Sequence, residues 1–205
     1  AANIVQTTPI DIQISSADIP PLATNNFRFG ANLDASASQP TAATFNLADP
    51  TSYNNTTSGT VYDSLGNAHI LSYYFVKTAT SGQWNMYASI AGTAVTDVDL
   101  GAGAGSPLVL NFDSSGVLTT AMPVNANLTI AGGALSPIAI SLDMSEMSQF
   151  GSPFSVNELF QDGYAPGRLS GINIGVDGTI KGRYTNGQSQ NLAQIVLASF
   201  AEVEL

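Results

Sequence analysis

Alternating hydrophobic and polar positions predict β-strands along most of the chain. Isoleucines alternate with polar residues over residues 9–15, the period of a half-buried strand. Residues 26–33 follow the same pattern, with hydrophobic side chains at Phe27, Phe29, Ala31 and Leu33. Further strand-like runs cover residues 59–63, 69–77, 83–90, 108–112, 124–130 and 138–142. Residues 34–55, which contain two prolines, predict a long irregular loop, and only residues 143–150 and 155–160 predict helices, both short.

Two turn signals divide the C-terminal part of the chain into three strands. Residues 175–178 separate strand-like residues 169–174 from 179–184, and Asn186-Gly187 separates the latter from 192–200. Asp-Gly and Asn-Gly most easily take the positive φ angles of tight hairpin turns. The expected structure is a three-stranded meander. Many short strands joined by Gly, Asp and Asn turns predict an all-β protein made of a sandwich or barrel.

Composition excludes several classes of partner and site. The 205 residues suffice for one large β domain or two ordinary ones. Only 10% of them are charged, and the formal net charge of −10 opposes binding to nucleic acid and to anionic membranes. The absence of cysteine rules out disulfides and thiolate metal sites. No apolar stretch approaches the length of a membrane span, and no basic and apolar signal segment opens the sequence.

The polar motifs are explained without catalysis or metal binding. His69, with Asp63 and Ser64, lacks the G-x-S-x-G context of a hydrolase, so we expect a strand residue hydrogen-bonded to loop backbone. Asp97 and Asp99 open a sequence that resembles a calcium loop, but Ala and Leu occupy the places of the required Gly and Glu. The carboxylates at 143 and 146, and at 158 and 162, could form a glycosidase pair, although solvated charge is the commoner role. We predict no catalytic residue, cofactor or metal.

Aromatic residues leave a second function open. Hydrophobic side chains alternate in residues 83–90, and aromatic ones recur in the neighbouring runs, at Tyr62, Tyr73, Phe75 and Tyr87. Burial of Trp84 and Phe75 in a core is the favoured interpretation, because most large aromatic residues are buried. The alternative is an exposed aromatic platform, which would indicate an extracellular carbohydrate-binding or adhesin-type β-sandwich module.

Two stretches carry a family resemblance. Residues 160–200 resemble the bacterial flagellar hook protein in three sequence motifs, DGYAPGRL, DGTIKGRYTNGQ and LAQIVLASF. Residues 60–77, TVYDSLGNAHILSYYFVK, resemble the start of that family's outer β domain. The resemblance implies an outer domain (22–163) inserted into an inner one (1–21 plus 164–205). It also implies a hinge where the chain crosses twice, at Pro20, Pro21, Gly163, Pro166 and Gly167, where stiff Pro and permissive Gly are suitable.

The same resemblance implies a structural protomer of the flagellar hook, the flexible tube that couples motor to filament, and not an enzyme. Implied partners are further copies in a helical tube, together with the hook cap, rod and hook–filament junction proteins. The implied location is extracellular, after export without a cleaved secretory signal. We find neither of the family's long terminal helices in the sequence, so we expect a trimmed fragment that is monomeric by itself.

Overall fold

A computed structural model describes residues 17–92 and 94–195, which are almost entirely β. The strands are β1 (Asn26–Asp34), β2 (Asn55–Tyr62), β3 (Ala68–Lys77), β4 (Gln83–Ile90), β5 (Val98–Asp99), β6 (Leu108–Asn111), β7 (Val124–Leu128), β8 (Ile138–Asp143), β9 (Ser148–Phe150), β10 (Ser155–Gln161), β11 (Leu169–Ile174), β12 (Thr179–Tyr184) and β13 (Ser189–Gln194). Single 3₁₀ turns lie at Pro50–Ser52 and Val95–Asp97. No helix among these residues is long and apolar enough to cross a membrane. The strand predicted at 9–15 and the end of that predicted at 192–200 lie outside the described residues.

The chain divides into two compact units. The terminal unit contains the described residues up to Pro20 and from Pro166 onward, and the central unit runs from Pro21 to Ala165.

Two sheets build the central unit. The larger has the order β10-β1-β8-β7-β5, with β9 also paired to β1, and the smaller has the order β2-β3-β4-β6. Strand β1 is antiparallel to β10 but parallel to β8 at one end and to β9 at the other. Side chains from both sheets form one hydrophobic core, which confirms the all-β, sandwich-like fold.

The alternation in β1 and β3 explains that core. Phe27, Phe29, Ala31 and Leu33 are all buried, as predicted. The ring of Phe29 stacks against those of Tyr73 and Phe75, with centroids 5.8 and 6.1 Å apart. Contacts at this spacing add to the free energy gained by removing the rings from water.

Both predicted helices are wrong. Residues 143–150 end β8, turn tightly and form β9; the turn is closed by a hydrogen bond from the Met147 amide to the Met144 carbonyl. Met144 and Met147 are both buried and enter the core from this turn. Residues 155–160 belong to β10, which pairs with β1 along nearly its whole length. Both segments are extended because their backbones pair with the distant strand β1.

The predicted irregular loop between β1 and β2 is confirmed, and side chains fix its course. Phe45 stacks on Tyr87 of β4 with ring centroids 4.1 Å apart, and Tyr53 meets Tyr74 of β3 edge-on at 5.0 Å. Asn54 closes the loop, because its side chain accepts a hydrogen bond from the Lys77 amide and donates one to the Ser38 carbonyl.

The terminal unit contains the predicted meander, in the order β11-β12-β13. Gly178 and Gly187 take φ angles of 76° and 83° at its two turns, as their Asp-Gly and Asn-Gly contexts predict. The third strand begins at Ser189, three residues before the predicted start.

Candidate functional site

The chain passes between the two units at Pro20–Pro21 and again at Ala165–Pro166. Within the terminal unit, Ile19 and Gly167 exchange two backbone hydrogen bonds of 2.8 and 3.1 Å. Within the central unit, Leu22 and Tyr164 do the same at 3.0 and 2.9 Å. Each unit therefore holds its own ends of the two crossing segments as an antiparallel pair.

Prolines occupy most of the positions between these bridges. Pro20, Pro21 and Pro166 have no amide hydrogen and cannot donate to a ladder. Regular strand pairing is thus chemically interrupted where the chain passes from unit to unit.

The two glycines of the predicted hinge are tightly packed. Gly163 and Gly167 are buried, and neither has the positive φ that would call for glycine. A methyl group on Gly163 would collide with Thr24, including its backbone nitrogen at 2.8 Å, and one on Gly167 would meet the Asn186 side chain at 2.5 Å. Close approach, and not conformational freedom, is what requires glycine at both places.

A hydrogen-bond network anchors the crossing segments in the central unit. Thr24 is fully buried, and its hydroxyl donates to the Gln161 side chain at 3.0 Å and accepts from the Tyr62 amide at 2.9 Å. The Gln161 side chain also brackets Gly163, accepting from its amide at 2.7 Å and donating to its carbonyl at 3.0 Å. These bonds tie the returning segment to β2 and to the start of β1.

Asp162 adds a second anchor beside this network. Its carboxylate accepts hydrogen bonds from the amides of Asn25 and Asn26 at 2.9 and 3.0 Å, and from the Asn26 side chain at 2.7 Å. Burial alone would raise the pKa of Asp162, but these bonds outweigh it and lower the pKa. Thr24 and Gln161 were not predicted from the sequence, and Asp162 was considered there only as a carboxylate that could pair with Glu158. Their only signal was a group of hydrogen-bonding residues just inside the prolines and glycines.

His69 bonds to a carboxylate and not, as expected, to loop backbone. Its Nε2 lies 2.9 Å from Oδ2 of Asp63, a residue that is only 1% exposed. Asp63 also accepts from the amides of Leu65 and Asn67, both at 2.9 Å, and from the Asn67 side chain at 3.0 Å. Burial would raise the pKa of Asp63, but the bonds from His69, Asn67 and Leu65 lower it to about 2.

The third member of the supposed triad points elsewhere. The Ser64 hydroxyl accepts a hydrogen bond from the Leu135 amide at 2.9 Å, and the contacts of the described residues include none between Ser64 and His69. Asp63 and His69 therefore stabilise the β2–β3 turn without forming a nucleophile relay.

Asp63 has an exposed counterpart in the turn after β6. Asp113 accepts from the amides of Ser115 and Val117 at 2.8 and 3.0 Å and forms the same backbone bonds as Asp63 across a five-residue turn. The turns differ in burial and in the side-chain bonds that only Asp63 receives.

The remaining carboxylates are also used locally. Asp99 accepts from the amides of Gly101 and Gly103 in its own loop, at 2.8 and 2.9 Å. Arg28 lies between Asp143, at 3.9 Å, and Glu158, at 3.4 Å, so the structure joins carboxylates that the sequence had assigned to separate pairs. Within residues 17–92 and 94–195, no three His, Asp or Glu side chains are grouped to hold a metal ion.

The aromatic residues are core or loop support. Trp84 and Phe75 are fully buried, as predicted, and the Trp84 indole donates to Gln149 at 3.2 Å. The ammonium of Lys77 lies 5.1 Å from the centroid of the Trp84 ring, and desolvation lowers the pKa of Lys77. Tyr74 and Tyr87 lie on the opposite face of the sheet, where the aromatic residues of the β1–β2 loop contact them.

Comparisons with known proteins identify the family of this chain. The family model described as flagellar basal body protein FlaE D2 domain matches residues 32–164, more than half of the chain. The flagellar hook protein FlgE of Escherichia coli is 35% identical over 204 residues, covering 96% of this chain and 47% of the relative. FlgE of Treponema pallidum is 31% identical, covering 87% and 45%.

A crystal structure of the Helicobacter pylori flagellar hook protein FlgE2 is also similar, with a TM-score of 0.46 and 22% identity, over 69% of this chain and 32% of that one. The chain spans about half the length of the curated relatives it matches. From the family model and the sequence identities, the chain belongs to the flagellar hook protein family.

Proposed function

We propose that this chain is part of a structural subunit of the bacterial flagellar hook, the flexible extracellular tube that couples the motor to the filament. The terminal unit would form the inner β domain, and the central unit would form the outer β domain inserted into it. The observation that carries the proposal is the pair of proline-interrupted crossings, each anchored at both ends by backbone hydrogen bonds.

A hook subunit needs stiff domains and a bounded joint. The central unit supplies stiffness through one continuous core and through the anchors formed by Thr24, Gln161 and Asp162. The joint lies at Pro20–Pro21 and Ala165–Pro166. Three of these four residues are prolines, which cannot donate a backbone hydrogen bond between strands, and each proline has a fixed φ angle. The flanking Gly163 and Gly167 act as packed edges of the joint, since both are buried against neighbouring side chains.

Surface chemistry supports sliding contacts between subunits. Charged residues are few, and exposed pairs such as Arg28–Glu158 contribute little to binding. Small neutral side chains avoid ion pairs that would lock neighbouring subunits in one register. The partners proposed with this role are further copies of the subunit, the hook cap, the rod and the hook–filament junction proteins.

The proposed role has no catalytic step. The Asp63–His69 pair is used within a turn, and Trp84, the most obvious candidate for a sugar-binding platform, is in the core. Hydrolase assays with ester, peptide and glycoside substrates should be negative. Activity that disappeared in a His69→Ala variant would defeat the structural role.

Cross-linking the joint tests the mechanical role. Pro20→Cys with Pro166→Cys, in the full-length hook protein, joins the crossing segments between the two backbone bridges. We expect oxidation to stiffen assembled hooks, measured as a longer persistence length in electron micrographs, and reduction to restore flexibility. The matched control is Leu22→Cys with Tyr164→Cys, a position that is already paired within the central unit. If the first locked hook bends as freely as the control, flexibility resides in contacts between subunits.

A further inference from the structure

An open cavity lies at one end of the hydrophobic core of the central unit. It has a volume of about 430 Å³ and is lined by His69, Ile90, Ala91, Asp97, Thr129, Ile130 and Ala131. On β3, His69 comes two residues before the buried Leu71, so its side chain shares the inner face of the sheet. Ile90 ends β4 within the core, and Ile130 packs against the core. The cavity therefore continues the core to the surface of the protein.

A strained residue forms part of the cavity wall. Ala91 has a φ of 53°, in the left-handed region, and Gly92 follows with a φ of 70°. Turns with two consecutive positive φ angles are usually formed by Asn-Gly, Asp-Gly or Gly-Gly, because these residues take such angles most easily. The chain thus has an apolar residue at the cavity where turn chemistry favours a polar one. Backbone strain of this kind is concentrated at ligand sites.

His69 and Asp97 bring hydrogen-bond acceptors to the wall. Nε2 of His69 is held by Asp63 at 2.9 Å. Asp63 is ionised and can only accept, so the ring proton lies on Nε2 and Nδ1 of the neutral imidazole is an acceptor. The hydrogen bonds and ion pairs of the described residues include none to Nδ1 of His69 and none to the carboxylate of Asp97. Both groups are therefore available to a ligand.

These acceptors determine which ligand fits the cavity. An anion would be repelled by Asp97, and a purely apolar molecule would leave both acceptors unpaired. A metal ion would lack a third protein ligand, since no three His, Asp or Glu side chains are grouped among the described residues. A cation with an apolar stem satisfies both the acceptors and the apolar wall, and the formal net charge of −10 attracts it.

We propose that this cavity binds a primary alkylammonium group. The ammonium, which has three N–H donors, donates to Nδ1 of His69 and to the carboxylate of Asp97. Its aliphatic stem lies against Ile90, Ala91 and Ile130. Such a group is found in free amines and in the lysine side chain of a second copy of the protein.

NMR titration of the 205-residue chain tests the site, because His69 is the only histidine and its ring signals are unambiguous. The probe is n-butylammonium chloride at about pH 8, where imidazole is neutral. We expect the ¹⁵N signal of Nδ1 to shift with saturation, while that of Nε2 stays nearly unchanged because Asp63 holds this nitrogen. n-Butanol, which has the same stem without the charge, should bind at least about tenfold more weakly. The absence of a saturable shift with butylammonium, or equal binding of butanol, would overturn the proposal.

Asp97→Asn tests the carboxylate and should weaken binding at least about fivefold. Its matched control is Asp99→Asn, which removes the same charge two residues away. Asp99 does not line the cavity and accepts hydrogen bonds from the amides of Gly101 and Gly103 in its own loop. In about 0.15 M salt, which screens exposed charges, the control should change the affinity less than about twofold. Equal losses in the two variants would show that only the general negative charge attracts the probe, and would overturn the site.

A second probe distinguishes the two sources of the ammonium group. N-acetyl-lysine N-methylamide has the four-carbon stem and the ammonium of butylammonium, attached to a peptide backbone. Binding of both probes with similar affinity would support the site and assign it to a lysine side chain. Binding of butylammonium alone would support the site and assign it to free amines, and failure of both probes to bind would overturn the proposal.

Discussion

Replacing Asp63 by Asn removes a buried charge while preserving the shape of its turn. The amide oxygen can still accept from the backbone amides of Leu65 and Asn67, as Oδ1 does in the parent. The new NH₂ group replaces Oδ2, which accepts from the Asn67 side chain at 3.0 Å and lies 2.9 Å from the His69 ring nitrogen. Asp63→Asn therefore removes the charge together with the acceptor at Oδ2 and keeps the backbone bonds of the turn, so the pH dependence is needed to show what the charge contributes to stability.

The lowered pKa sets the magnitude and the pH range. The pKa of Asp63 falls from 3.8 to about 2, and one pKa unit corresponds to about 1.4 kcal/mol, so ionisation contributes about 2 kcal/mol to the free energy of unfolding. Because the pKa is lower in the folded state, this contribution is present above pH 4. It is lost as the pH falls from about 4 to about 2.

Urea unfolding followed by Trp84 fluorescence measures the effect. Trp84 is the only tryptophan and is buried in the same unit as Asp63. We expect Asp63→Asn to lower the free energy of unfolding by about 2 kcal/mol at pH 6, with the difference from the parent shrinking towards zero near pH 2.

Asp113→Asn is the matched control, since this carboxylate closes the same kind of turn at the surface. It should cost less than about 0.5 kcal/mol at pH 6. A difference between parent and Asp63→Asn that is the same at pH 6 and pH 2 would refute the reasoning. The cost would then come from hydrogen-bond geometry and not from charge.

Three further outcomes are expected. Gly163→Ala should destabilise the central unit by about 1–3 kcal/mol in the same unfolding assay, because the added methyl group meets Thr24. The control Gly151→Ala should change stability by less than about 0.5 kcal/mol, because the space around Gly151 is open. Phe45→Ala removes the ring that stacks on Tyr87 and should speed proteolysis within the β1–β2 loop. Urea unfolding followed by Trp84 fluorescence should stay cooperative. Unchanged cleavage would show that the polar bonds alone hold the loop. Sedimentation velocity at high concentration should show a monomer for this 205-residue chain, and a closed oligomer at micromolar concentration would mean that the β units supply assembly energy by themselves.

Local sequence determined most strands and turns of this protein. Alternation placed the side chains of β1, β3 and β4 on the correct faces, since a strand buried on one face must repeat every two residues. Gly178 and Gly187 marked their hairpins because their positive φ angles are accessible to few other residues. Trp84 and Phe75 are core residues, as their size and spacing predicted.

Only the tertiary structure decided which segments meet. β10 has no clear alternation because it is an edge strand exposed over much of its length, and only its pairing with β1, more than a hundred residues away, makes it a strand. The parallel contacts of β1 with β8 and β9 likewise have no local signal, because parallel neighbours need a long connection. Arg28 and Thr24 lie near the start of the central unit, and their partners Glu158 and Gln161 lie near its end. Periodicity records the face that a residue presents, whereas hydrogen-bond partners depend on which distant strand is brought alongside, and that is a property of the folded chain.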